Sequence, residues 1–110
     1  MDWSIILWLI AGHFLGDFPA QSQWMAAKKG TSWEVNGYHA LVYTFTILVV
    51  SAIGGFILPI WSLAIIGVSH FLIDPLKARW SIVKHIWLDQ LLHIIVLFVT
   101  AFALAQLAVV

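Results

Sequence analysis

Long apolar runs, broken by two short segments that hold every basic residue, set the pattern of this chain. No charged residue occurs from Ala40 to Ser69 or from Ile94 to Val110. A helix of roughly 20 largely apolar residues crosses the hydrocarbon core of a bilayer. The pattern predicts four such helices, at about 3–20, 32–58, 60–76 and 82–109, with Pro59 dividing the central run. Thr31-Ser32-Trp33-Glu34 fits a capping box, with Thr31 as the cap and Glu34 reaching back to it. Pro19 and Pro75 mark the ends of the first and third helices, because proline lacks the amide donor and crowds the preceding turn. Ser22 to Gly30 is polar around Trp24 and Met25, and reads either as a short interfacial helix or as a loop.

Composition narrows the class. Hydrophobic residues make up 63% of the 110 and charged residues 9%, against about 25% charged in a typical soluble domain. Mean hydropathy is +1.01. The expected fold is therefore an all-α integral membrane domain of four transmembrane helices, with the lipid bilayer as its first partner. Five Lys and Arg balance five Asp and Glu, which leaves no basic surface for nucleic acid. The chain has no cysteine, so disulfides, thiolate metal sites and cysteine nucleophiles are excluded.

Charge placement predicts orientation. Lys28 and Lys29 fall between the first two spans, and Lys77, Arg79 and Lys84 between the last two. Under the positive-inside tendency both basic loops face the cytoplasm and both termini lie outside it. Trp24, Trp33, Trp80 and Trp87 then fall near the inner interface, and Trp3 and Trp61 near the outer one. The bacterial inner membrane is the expected location.

The polar residues follow a duplication. His13-Phe14-Leu15-Gly16-Asp17 recurs as His70-Phe71-Leu72-Ile73-Asp74, and the register continues, after skipping Phe18, from Pro19 to Pro75, Gln21 to Lys77 and Trp24 to Trp80. Each half then enters an apolar helix with another histidine, His39 or His93. This reads as two parallel helix-pair repeats about an axis along the membrane normal. His13 with Asp17, His70 with Asp74 and Asp89 with His93 are each spaced i, i+4 and share a helix face. Because alternate spans run in opposite directions, all of these groups fall at one depth, toward the cytoplasmic leaflet.

That depth has an energetic meaning. An Asp at the centre of a span costs about 2.5–3.5 kcal/mol even on a lenient insertion scale, so these carboxylates are expected to face inward and find countercharge. Lys77 is the expected ammonium; three carboxylates against it leave two negative charges, which one divalent ion cancels. Imidazole and carboxylate together suit Zn, Mn, Fe, Co or Ni. The expected ligands are His13, Asp17, His39, His70, Asp74 and His93, with Gln21 and Lys77 contacting substrate or balancing charge. Gly12, Gly16 and Gly67 read as packing positions that let helices approach closely. His85, beside Lys84, reads as interfacial.

A bound divalent ion makes hydrolysis the simplest chemistry, with an unliganded carboxylate taking a proton from water. Asp89 is the candidate base, because its counterpart by offset from histidine is Val35, which cannot coordinate. Two other classes remain open: passage of protons or metal ions along a His/Asp chain, and a structural role within a larger membrane assembly. A homodimer is compatible with so few helices.

The motifs HFLGDFPAQSQW, HFLID and DQLLH resemble the small bacterial and phage membrane proteins grouped as domain of unknown function 3307, over nearly the whole chain. The resemblance implies importance for His13, Asp17, Gln21, His39, His70, Asp74, Lys77, Asp89 and His93, and carries no activity with it. A weaker similarity reaches membrane-bound metal-dependent hydrolases through short His/Asp motifs on transmembrane helices, although this chain lacks their His-Ser pairing.

Overall fold

The computed structural model describes residues 3–108, and these form five α-helices with no strand among them. The helices are α1 (Ser4–Asp17), α2 (Gln23–Lys28), α3 (Trp33–Ile53), α4 (Ile60–Ala78) and α5 (Ile86–Ala108). Residue 109, the expected end of the last span, lies outside the described residues. Trp33–Ile53, Ile60–Ala78 and Ile86–Leu107 are long and apolar enough to cross a membrane. Helix α1 has 14 residues, about 21 Å at 1.5 Å per residue, short of a hydrocarbon core of about 30 Å.

Helix α1 packs on α3 and α5, and α4 packs on the same two, so the four longer helices close into a ring. The two helices that carry the repeated HFLxD motif sit at opposite corners. Polarity is inverted relative to a soluble bundle. His13, His39 and His70 are fully buried, whereas Ile57 and Ile60 are about four-fifths exposed. The apolar core is built around Leu9, Ile47, Ile66 and Leu97, one turn beyond the histidines on α1, α4 and α5 and two turns beyond His39 on α3. Along the axis the interior is therefore a polar layer stoppered by an apolar one.

Glycine sets the α1–α3 approach. A Cβ on Gly12 would lie 2.9 Å from the Ile47 Cα, and one on Gly16 would lie 3.2 Å from the Tyr43 Cα. This is the close packing expected of a small-xxx-small pair. Gly67 meets the Thr44 side chain of α3, whose hydroxyl would lie 2.9 Å from a Cβ there.

The helix ends differ from the expected ones for local reasons. Ser32, not Thr31, caps α3: its hydroxyl accepts from the Val35 amide, while Thr31 donates back to the Lys28 carbonyl. Helix α3 stops at Ile53 rather than near 58, because Gly55 takes a φ of 91° and closes a Schellman motif in which Phe56 N–H bonds the Ser51 carbonyl. Pro75 does not end α4, which continues to Ala78. A proline there leaves the Phe71 carbonyl without its helical donor, and the buried Asn36 of α3 donates its Nδ2 to that carbonyl at 3.1 Å. The segment 22–30 resolves as α2, capped by Ser22, whose hydroxyl accepts from the Met25 amide.

Candidate metal centre

The i, i+4 spacing on α1, α4 and α5 and the entry turns of α3 bring one set of side chains together on the bundle axis. Asp17, His39, His70, Asp74, Asp89 and His93 are all buried. They form three overlapping groups: Asp17 with His39 and His70; His70 with Asp74 and His93; Asp17 with Asp89 and His93. Within each group one donor atom per residue lies within 4.8 Å of the others. Asp17 Oδ1 stands 3.1 Å from His39 Nε2 and 3.3 Å from His70 Nε2. His93 Nε2 stands 3.5 Å from Asp89 Oδ1 and 3.8 Å from Asp74 Oδ1.

Those last separations decide what the set can do. Hydrogen bonds of this kind run about 2.7–3.2 Å. Ligands around a tetrahedral ion with bonds of about 2.0–2.1 Å stand roughly 3.3 Å apart. His93 Nε2 and Asp89 Oδ1 are both buried, and neither has a hydrogen-bond partner among the described residues. Buried polar atoms without partners are costly, and here two of them face each other inside a donor set. A cation between them would satisfy both.

A second chain of hydrogen bonds braces the first. Gln90 Nε2 donates to Asp17 Oδ2 at 3.1 Å and to Asp89 Oδ2 at 3.2 Å, so one amide holds carboxylates from two helices. Gln90 Oε1 then faces His13 Nε2 at 2.7 Å. An amide oxygen can only accept, so His13 donates from Nε2, while its Nδ1 meets the Tyr43 hydroxyl, also at 2.7 Å. His13 is thus saturated at both nitrogens and outside all three donor groups.

The family model described as "Protein of unknown function (DUF3307)" matches residues 5–109. The chain belongs to the DUF3307 family. Comparison with curated proteins and with solved structures gives no match.

In this DUF3307 protein five of the six expected ligands (Asp17, His39, His70, Asp74 and His93) converge, and Asp89 joins them as a sixth donor. His13 stands one step back, behind Gln90. The ammonium beside the centre is that of Lys29, 2.8 Å from Asp74 Oδ2, and not that of Lys77. Lys77 lies in the last turn of α4 without an ion pair among the described residues, whereas α2 sits on α3 and carries the chain directly to Lys29. Gln21 donates to the Asp17 backbone carbonyl at 3.0 Å and lies outside the donor groups; its Oε1 is buried without a hydrogen-bond partner among the described residues. His85 is exposed and stacks on Trp87.

Sequence reasoning missed Lys29, Asn36, Tyr43 and Gln90. Tyr43 and Gln90 had a signal available: they lie four residues after His39 and three before His93, on the same helix faces. Three carboxylates and the Lys29 ammonium leave two net negative charges at the centre, the charge one divalent cation neutralises.

Proposed function

We propose that this DUF3307 protein binds a divalent transition metal between its helices, with Asp17, His39, His70, Asp74, Asp89 and His93 as the donor set. The facing, unpartnered His93 Nε2 and Asp89 Oδ1 carry this reading. Three imidazoles and three carboxylates suit Zn, Mn, Fe, Co or Ni. Gln90 fixes the two carboxylates, His13 fixes Gln90 and Tyr43 fixes His13, which is how outer partners hold metal ligands in register.

The reaction class that fits best is metal-dependent hydrolysis. When bound, a divalent ion supplies Lewis acidity toward water and toward a carbonyl or phosphoryl oxygen. Asp89 is the carboxylate that would take the proton from water in place of ligating: Oδ2 is held by Gln90, and Oδ1, free of hydrogen bonds, serves one of the two roles and not both. A conduit for ions is disfavoured. Thr46 and Thr100, the hydroxyls seven residues beyond His39 and His93, donate to the Val42 and Val96 carbonyls of their own helices. Leu9, Ile47, Ile66 and Leu97 fill the level above the centre.

We place the protein in the bacterial inner membrane, with α1 as a shorter fourth span, α1–α3 and α4–α5 as the two repeats, and the Lys- and Arg-bearing loops in the cytoplasm. A C-terminal reporter active only in the cytoplasm should stay silent; a strong signal would reverse the orientation. The metal reading is tested by elemental analysis of protein purified in detergent, beside His70→Ala and Asp74→Ala. Stoichiometric metal in the native protein, lost from both variants, is expected. A folded, metal-free native protein that takes up none of the five ions on titration would end both the metal and the hydrolase readings.

A further inference from the structure

Outside the ring, along the seam of α3 and α4, runs an apolar groove of about 430 Å³, a size typical of small-molecule sites. Gly37, Leu41 and Thr44 form one wall, and Leu63, Gly67 and Phe71 the other. From Ile60 to Phe71 it extends about 16 Å at 1.5 Å per residue, roughly one leaflet of a hydrocarbon core about 30 Å thick. The Thr44 hydroxyl is bonded to the Ala40 carbonyl of its own helix, so the lining offers nothing polar to an occupant.

Two observations identify the occupant. The first is Gly37. A Cβ on Gly12, Gly16 or Gly67 would press against a neighbouring helix, but one on Gly37 would meet only the Phe71 ring edge, at 3.8 Å. Packing therefore does not require this helical glycine, which weakens a helix relative to alanine; what its missing side chain leaves is open groove. The second is the inner end. The Phe71 ring lies 5.8 Å from that of Trp33, Trp33 lies 5.8 Å from Trp80, and the Arg79 guanidinium covers Trp33 at 4.6 Å. Arg79 is exposed and gives one N–H to the Gly30 carbonyl, which leaves further donors of its planar fork for an oxyanion. Glu34, exposed in the first turn of α3 and next in sequence to Trp33, shares the helix stripe of Gly37, Leu41 and Thr44 and sets a negative charge at the same end of the groove.

An apolar trough, an aromatic step at its inner end, and a cation and an anion at that same end match a zwitterionic glycerophospholipid. We propose that the α3–α4 groove binds one phosphatidylethanolamine-type lipid, with an acyl chain in the groove past Gly37, the phosphate on Arg79 and the ammonium toward Glu34. This site is separate from the metal centre and does not depend on it.

The test is native mass spectrometry of detergent-purified protein titrated with dioleoylphosphatidylethanolamine, and in parallel with dioleoylglycerol, which has the same chains and no head group. The native protein should retain one phospholipid and no diacylglycerol. Gly37→Leu and Arg79→Gln should each weaken retention about tenfold, while Val99→Leu, on the exposed side of α5, should leave it unchanged. Circular dichroism checks that each variant is folded. Equal retention of both lipids, or full phospholipid retention by folded Gly37→Leu and Arg79→Gln proteins, would overturn the proposal.

Discussion

The side-chain amide of Asn36 donates to the carbonyl of Phe71, the acceptor that Pro75 leaves without a helical partner. A defect in α4 is thus repaired from α3, one turn from His39 and next to His70. Backbone groups freed by proline inside a membrane helix need such a partner, because lipid provides none.

This relationship is open to a double-mutant cycle. Asn36→Leu should destabilise the protein by about 1–3 kcal/mol, the cost of a buried unpaired acceptor. Pro75→Ala restores the amide that can reach Phe71 O, so most of that loss should disappear in the double variant. Thermal midpoints in detergent measure the coupling, and simple additivity of the two changes would contradict the repair.

Lys29 and Asp74 form a nearly sealed ion pair, with side chains 11% and 3% exposed. Lys29→Met leaves the carboxylate unpaired, at an expected cost of about 3–5 kcal/mol. Because the variant centre carries one more uncompensated negative charge, added divalent metal should raise its thermal midpoint more than it raises that of the native protein. Lys77→Met, with no ion pair to lose, should stay within about 0.5 kcal/mol.

His70 and His13 should separate sharply in metal titrations. His70 belongs to two of the donor groups and His13 to none, so His70→Ala should abolish stoichiometric binding. His13→Ala and Gln90→Leu should keep the stoichiometry and weaken affinity about 10–100-fold, as loss of outer partners does. Competition with a chelating dye reads both effects. Loss of stoichiometry in His13→Ala would make that residue a ligand.

The glycines give opposite signs. Gly12→Ala drives a methyl group into the Ile47 backbone and should cost about 1–3 kcal/mol. Gly37→Ala, facing open groove, should be neutral or stabilising by up to about 1 kcal/mol. Thermal midpoints that fall alike in both variants would mean that Gly37 is also a packing position.

Much of the centre was legible in the sequence because its cause is periodic. The i, i+4 pairs on helices of alternating direction put His70, Asp74, Asp89 and His93 at one level whatever the details of packing. The exchange of Lys77 for Lys29 was not legible, since it depends on α2 folding back over α3. Nor was the retreat of His13 behind Gln90: both sit on inward faces, and only the rotation of α1 against α5 decides which of them meets the carboxylates. The helix ends failed for a local reason, because Thr31 and Ser32 are equivalent caps by type. The tolerance of Pro75 rests on a donor from another helix, which no reading along one helix reveals.

The apolar stopper formed by Leu9, Ile47, Ile66 and Leu97 makes the His/Asp layer a cul-de-sac. An ion held there, as proposed, would have to exchange from one side only, which confines it to a single compartment. In sealed vesicles an impermeant chelator should strip the ion from one face of the membrane and leave it untouched from the other.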